Sequence, residues 1–201
     1  MAGRLASWIG RALLPRRRNL LRDEGGVTAI EFGLLALPFF SILAAILETS
    51  IVFLAGQVLD SAVQDVSRLV RTGQAQQASM TPARFKELVC DRLYGLFPNC
   101  TDLYVDMRVV GTFDEVDMTP PVNWTCDPRK VGETEAQAAE RCAAWTRPES
   151  YVPGTGTSIV AVQVYYKWPV IVPFGGLGLR NLPDGRRLIG AATVFRNEPF
   201  S

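Results

Sequence analysis

Residues 24–40, EGGVTAIEFGLLALPFF, place a carboxylate, Glu31, near the start of a stretch that is otherwise uncharged from residue 25 onward. No further charge occurs in residues 32–47, so this run is long enough to build most of a membrane span. A charged side chain inside a membrane segment costs a few kcal/mol on insertion scales. Glu31 therefore needs either hydration at the membrane edge or a partner.

The apolar run predicts one long helix over residues 27–59. The sixteen uncharged residues before Glu48 rise about 24 Å as an α-helix, slightly less than a hydrocarbon core of about 30 Å. A second uncharged run follows Glu48, and we place the membrane span at about residues 30–55. Pro38 removes one backbone donor, so a local bend is expected there. Glu48 is assigned to the outer membrane boundary.

Basic residues are concentrated at the N-terminus. Residues 1–26 contain six arginines and two acidic residues, whereas residues 27–201 carry a net charge of −3. The positive-inside rule therefore places the N-terminus in the cytoplasm and the C-terminal region outside. Apolar residues at helical spacing in residues 1–22 are typical either of a short amphipathic helix on the membrane surface or of a disordered basic leader. Ordinary signal peptidase cleavage is disfavoured, because no A-x-A-like site follows the long apolar run.

The cysteines are compatible with two disulfides in an oxidising compartment. The chain contains Cys90, Cys100, Cys126 and Cys142, at intervals of 10, 26 and 16 positions. Buried free thiols and a zinc site are the alternatives, but the close cysteine pairs of structural zinc sites are missing. Sequence proximity favours Cys90–Cys100 and Cys126–Cys142 among the three connectivities. Because the chain has no histidine, we expect neither a metal nor a cofactor.

Helical patterns continue beyond the span. Apolar residues recur at steps of three and four from Gln57 to Gln74, which predicts an amphipathic helix that extends the membrane helix to residue 73. The sequence GQAQQAS that follows is predicted to be a polar linker. A second helix is predicted to begin with Thr81 as its N-cap and Pro82 in its first position, and to end at Phe97.

Three strands are predicted from alternating apolar residues, over LYVDMRVV (103–110), TSIVAVQVYYKW (157–168) and LIGAATVF (188–195). The connection between the last two is rich in proline and glycine and too irregular for a crossover helix, so an antiparallel sheet is expected. An Ala-rich helix is predicted at residues 133–145. The fold class is therefore α+β, with a long N-terminal helix and a small disulfide-stabilised domain at residues 74–201.

Catalytic motifs are absent from the sequence. It contains no H-E-x-x-H, no G-x-S-x-G, no phosphate-binding glycine-rich loop and no CxxC. The arginines of the leader are explained by membrane topology. We therefore expect neither an enzyme nor a nucleic-acid-binding protein.

The stretch from residue 22 to residue 73 resembles type IV prepilins, and more closely the TadE-like minor pseudopilins of tight-adherence (Flp) pilus systems. The resemblance rests on GGVTAIEFGLLALPFFSILAAILE and on the following SAVQDVSRLVRTGQAQ. It implies cleavage by a prepilin peptidase between Gly26 and Val27, which would leave Glu31 at the fifth position, followed by Phe32. Flp pilins usually carry tyrosine after this glutamate and are much shorter, so the resemblance favours a minor pseudopilin over the major subunit.

The same resemblance implies how the chain would work. Residues 1–26 would be a cytoplasmic leader, and Glu31 and Phe32 would dock the helix, because a carboxylate can neutralise the new amine of Val27 on the same or a neighbouring subunit. Expected partners are prepilin peptidase, other Tad/Flp pilins, assembly-platform proteins and inner-membrane lipid. The predicted function is pilus assembly from the bacterial inner membrane. The alternative is an uncleaved single-pass protein whose external domain binds a ligand or an envelope partner.

Overall fold

The computed structural model describes residues 27–126, 130, 132–172 and 178–200. The predicted leader, residues 1–26, lies outside them. The described chain falls into two compact units that divide between Leu43 and Ala44. The proposed division at residues 73 and 74 remains a prediction, since it follows processing and topology rather than compactness.

The first unit contains the start of helix α1, Val27–Arg71, which runs through Pro38 without a break. Its large apolar side chains are exposed, from Ile30 to Leu43. Leucine, alanine and isoleucine fill this segment, and none of them competes with the helix backbone for hydrogen bonds. The unit is therefore a helix that is apolar around its whole circumference, which is the pattern of a helix surrounded by lipid or by other helices.

In the second unit, α1 becomes the central helix of a core. Its buried side chains recur at helical spacing, and they are Val52, Ala55, Leu59, Ala62, Val63, Val66 and Val70. Gln64, Asp65 and Arg68 lie on the exposed face, as the sequence predicted. The helix ends before Gly73, whose φ of +80° favours glycine, and a Cβ there would approach the Phe200 ring to 2.6 Å.

Two short helices follow α1. The predicted linker GQAQQAS is wrong in part, because it contains helix α2, Gln74–Gln77. Burial of Ala75 against the core explains this turn of helix, which composition alone did not predict. Helix α3, Pro82–Asp91, has the predicted N-cap, since the Thr81 side chain accepts a hydrogen bond from the Arg84 amide.

Helix α3 ends earlier than predicted. Tyr94 and Gly95 adopt φ values of +50° and +72°, and two successive positive φ angles cannot continue a right-handed helix. Leu93 and Phe97 are nevertheless buried, so the apolar pattern that extended the prediction comes from packing of an irregular segment.

The sheet contains four strands in the order β2-β1-β3-β4. The strands are β1, Tyr104–Val110; β2, Ser150–Tyr151; β3, Ile159–Trp168; and β4, Arg187–Arg196. The three long strands are antiparallel, as predicted, whereas the short β2 pairs with β1 in parallel. The sheet is therefore mixed, and the α+β class is confirmed.

The two faces of the sheet are covered by different parts of the second unit. Alternate residues of β3, such as Val162 and Tyr166, join the core around α1. The opposite face carries Gln163 and Lys167, and it is covered by the segments 117–126 and 132–149. These segments contain helix α4, Glu135–Ala143, which confirms the predicted Ala-rich helix with slightly shorter bounds.

Two disulfides connect Cys90 to Cys100 and Cys126 to Cys142. The first joins the last turn of α3 to the 3-10 turn that precedes β1, and the second joins α4 to the segment before it. Both are the pairings that sequence proximity favoured.

Candidate functional site

The start of α1 places the predicted docking residues on an open surface. Val27 is the first residue of the described helix. Glu31 and Phe32 are both exposed, Phe32 with 70% of its surface accessible. Residues four positions apart lie on the same face of an α-helix, so the Glu31 carboxylate lies one turn from the Val27 backbone nitrogen. Gly26, the other half of the predicted cleavage site, lies outside the described residues.

The exposed apolar surface of α1 has the composition of a membrane segment. Among the described residues, one helix is long and apolar enough to cross a bilayer by length and composition. Its large apolar side chains stay exposed on into the second unit, as far as Phe53 and Leu54. Such a surface is costly in water, because each exposed leucine or phenylalanine forgoes about 1.5–3 kcal/mol of burial. The helix therefore fits a single-pass membrane anchor.

Glu48 has a different environment from Glu31. Only 8% of its surface is accessible. Its Oε1 accepts a hydrogen bond from the Ile171 amide at 2.5 Å, and the Val172 amide lies 3.1 Å from Oε1 and 3.2 Å from Oε2. Two N–H groups stabilise the carboxylate in place of water, since charge-assisted hydrogen bonds are the stronger kind. Glu48 thus fixes the chain that follows β3.

The sequence similarity to known proteins lies in the N-terminal helix. Residues 26–68 match the family described as TadE-like protein. This segment is therefore similar to TadE-like proteins. No curated protein and no solved structure matches the chain. The match begins at the predicted cleavage position and ends within α1, so it covers the anchor and most of the central helix.

Beyond the matched segment, the described residues contain a buried ionic cluster. Asp106, which is almost fully buried, accepts from the Arg108 Nε at 2.6 Å and from the Arg147 Nε at 3.2 Å. Tyr104 lies beside it, and its pKa is raised chiefly by burial and further by the Asp106 charge. The cluster holds the covering segment to the sheet, because Arg147 also donates to the Thr119 carbonyl.

An open cleft lies next to this cluster, between α3 and β1. It is lined by Lys86, Tyr104, Trp145, Arg147 and Glu149, among others. Lys86 and Glu149 close one side through an ion pair of 2.6 Å. Among the described residues no three histidine, cysteine or carboxylate side chains converge as metal ligands. The cleft offers an aromatic ring and charges of both signs.

Sequence reasoning missed the partners of Glu48 and the Asp106 cluster. Ile171 is 123 residues from Glu48, and Arg147 is 41 residues from Asp106. No local spacing rule joins residues so far apart. The signal that was available was weaker: a charge that interrupts two apolar runs needs a partner, and Glu48 met that criterion as well as Glu31 did. The membrane-boundary role of Glu48 remains a prediction.

Proposed function

We propose that this protein is a minor pseudopilin of a Tad/Flp pilus, processed by prepilin peptidase after Gly26 and anchored in the inner membrane by α1. One observation carries the proposal. The TadE-like match begins at Gly26, and the described helix begins at Val27, with a carboxylate at the fifth position counted from Val27. This is the arrangement that a prepilin peptidase substrate requires.

The chemistry of the site supports processing. Cleavage after Gly26 creates an amine at Val27, and Glu31 lies one helical turn away. In a low-dielectric environment an unpaired charge is expensive, and pairing the amine with a carboxylate offsets part of that cost. Glu31 pairs with its own amine in the membrane, or with the amine of a neighbouring subunit during assembly. It acts as a docking and register device, with Phe32 beside it.

The apolar surface of α1 supports both stages of this function. Lipid covers the exposed side chains while the subunit waits in the inner membrane, and helices of other pilins cover them in an assembly. The external domain then primes or caps the fibre. The partners are prepilin peptidase, other Tad/Flp pilins and assembly-platform proteins, and the role is structural, as in TadE-like pilus proteins generally.

The N-terminal residue of the membrane-extracted protein tests the proposal. The full chain is expressed with and without the prepilin peptidase of its host, and its intact mass and first residue are determined. We expect a peptidase-dependent start at Val27, which Gly26→Ala abolishes. Gly25→Ala is the matched control, since it alters the neighbouring glycine and should leave the cut in place. An uncleaved chain under both conditions would overturn the processing step.

Glu31 is tested separately from cleavage. Glu31→Gln keeps the size of the side chain and removes its charge, so we expect normal processing but loss of pilus assembly. Phe32→Tyr is the conservative control, because it introduces the residue that Flp pilins usually carry at this position. Assembly should persist in this variant. If Glu31→Gln assembles pili at the wild-type level, that result would contradict the docking role of Glu31.

The open cleft favours one alternative, an uncleaved anchored binding module. A tryptophan ring and an ion pair at its rim are typical of a site for a polar ligand. The two functions differ at the N-terminus: the binding module keeps its leader when the peptidase is present, and Gly26→Ala leaves it unchanged.

A further inference from the structure

The connection that follows β3 carries an unusual apolar side chain. Ile171 has 82% of its surface accessible, more than any other large aliphatic residue among those described, including those of the membrane helix. Pro169 is also exposed, and Val170 and Val172 are half-buried. Four uncharged, poorly hydrated residues at an exposed turn are uncommon in water, where turns are usually polar.

Two backbone amides of this connection are bonded within the protein and do not need water. The amides of Ile171 and Val172 both donate to the Glu48 carboxylate. In hydrocarbon an unsatisfied backbone N–H costs several kcal/mol, so a turn enters a membrane only when its polar groups are bonded within the protein. Glu48 supplies that acceptor, and the two amides replace part of the hydration that its carboxylate loses on burial.

The position of the connection follows from the register of the sheet. Trp168, the last residue of β3, pairs with Arg187, and Ile159 at the other end pairs with Arg196. The chain after Arg196 returns to the end of α1, where the Glu198 amide donates to the Arg71 carbonyl. The connection after Trp168 therefore lies at the opposite end of the domain.

That end of the domain also presents the exposed apolar residues of α1. Ile46, Leu47, Phe53 and Leu54 flank Glu48 along the helix, and all four are exposed. The uncharged run before Glu48 rises about 24 Å, which is less than a hydrocarbon core of about 30 Å. A full crossing therefore continues for about four residues beyond Glu48. Glu48 then lies just inside the bilayer edge and not at its outer limit.

We infer that the turn at residues 169–172 inserts into the outer face of the same bilayer that α1 spans, with Glu48 as the buried acceptor for its backbone. The inference rests on the proposed membrane anchor. Lipid is the occupant because the exposed Ile171 is bonded to Glu48, whose neighbours along the helix, Ile46 and Leu47, are exposed and apolar as well. Arg180, an exposed residue of the same connection, fits anionic headgroups at the rim of such a site. The domain is thus held to the membrane at two points.

Spin-label accessibility tests this arrangement in the full-length protein. Nitroxide labels are placed by Ile171→Cys, by Phe113→Cys and by Leu35→Cys, and the protein is reconstituted as single copies in nanodiscs of phosphatidylethanolamine and phosphatidylglycerol. The native cysteines are paired and do not react. Phe113 is an exposed apolar residue after the far end of β1, so it is the matched control, and Leu35 reports the anchor itself.

We expect the label at residue 171 to behave like the label at residue 35, with high accessibility to oxygen and loss of accessibility to a water-soluble nickel chelate. The label at residue 113 should show the reverse. Glu48→Ala in the Ile171→Cys background should return the label at 171 to water, because the turn loses its acceptor, whereas Glu48→Gln keeps one and should preserve part of the effect.

The other outcomes each overturn a different statement. A water-exposed label at 171 beside a lipid-exposed label at 35 would overturn the second attachment and leave the anchor intact. Water exposure at both positions would overturn the membrane anchor on which the inference rests. A label at 171 that neither oxygen nor nickel reaches would show that protein, not lipid, covers the turn.

Discussion

The two halves of α1 differ in apolar content and have opposite surroundings. From residue 28 to residue 47 the large apolar side chains are exposed around the whole helix, and from residue 52 to residue 70 they are buried along one side. The difference lies in where polar residues fall. The first half has none apart from Glu31 and small hydroxyl residues, whereas the second half repeats polar residues along one face from Gln57 onward.

This difference shows how one helix can have one part suited to lipid or other helices and another part suited to a protein core. A helix that is apolar on all sides cannot be packed by one small domain, so its surface is suited to lipid or to other helices. A helix with one polar face can pack its apolar side against a sheet. Here the apolar side of α1 packs against the inner face of β1 and β3. Apolar content already separates the two halves, and periodicity identifies the side of the second half that packs.

Truncating one buried and one exposed leucine of α1 should give the largest contrast. Leu59 is fully buried and Leu54 is 54% exposed, five positions earlier on the same helix. We expect Leu59→Ala to cost about 3 kcal/mol of unfolding free energy through the cavity it leaves, and to lower Tm by about 6–12 °C. Leu54→Ala should cost less than about 0.5 kcal/mol. Thermal unfolding of the full chain in detergent measures both, and equal shifts would mean that the second half is not a core helix.

Removing a disulfide tests which contacts stabilise the buried half of α1. The Cys90–Cys100 bond closes a loop of 10 positions beside the core, and its loss in Cys90→Ala/Cys100→Ala should cost about 3 kcal/mol. Urea unfolding provides the measurement. Cys126→Ala/Cys142→Ala is the control, because that bond ties down only the covering segment. Hydrogen exchange in the control should rise in α4 and leave α1 protected; exchange that rises equally in α1 would contradict this division.

Alkaline pH should produce the smallest effect, confined to the sheet domain. Burial raises the pKa of Tyr104, Tyr151, Tyr165 and Tyr166 above the ordinary value of 10.0. The folded state then keeps protons that the unfolded state has released, so stability falls as pH rises above about 10. Lys167 opposes this trend, because burial lowers its pKa below 10.5. Because four tyrosines oppose one lysine, we expect a net loss of stability as the pH rises.

Unfolding in urea at about pH 9 and about pH 11 measures the alkaline effect. Tyrosinate absorbance followed in parallel should rise later in the folded than in the unfolded protein. A stability that increases over this interval would mean that the lysine dominates and that the tyrosines are better hydrated than the structure indicates.

Local signals in the sequence predicted most of the fold. The N-cap of α3, the three long strands and the periodicity of α1 all depend on neighbouring residues, which a sequence displays directly. Helix α2 and the two-residue β2 were missed, because they are stabilised by tertiary contacts of Ala75 and by pairing with Met107. The Glu48 site was missed for the same reason: its partners are 123 residues away.

That separation also has a consequence for biosynthesis. The buried side of α1 cannot be covered until β3 and β4 have been made, and at about 5–20 residues per second the 123 residues between Glu48 and Ile171 take on the order of ten seconds to synthesise. In the proposed membrane-anchored protein, early insertion of the anchor would hold the helix during this interval. The uncovered surface would then stay beside the bilayer, away from other nascent chains, until the last strand has been made.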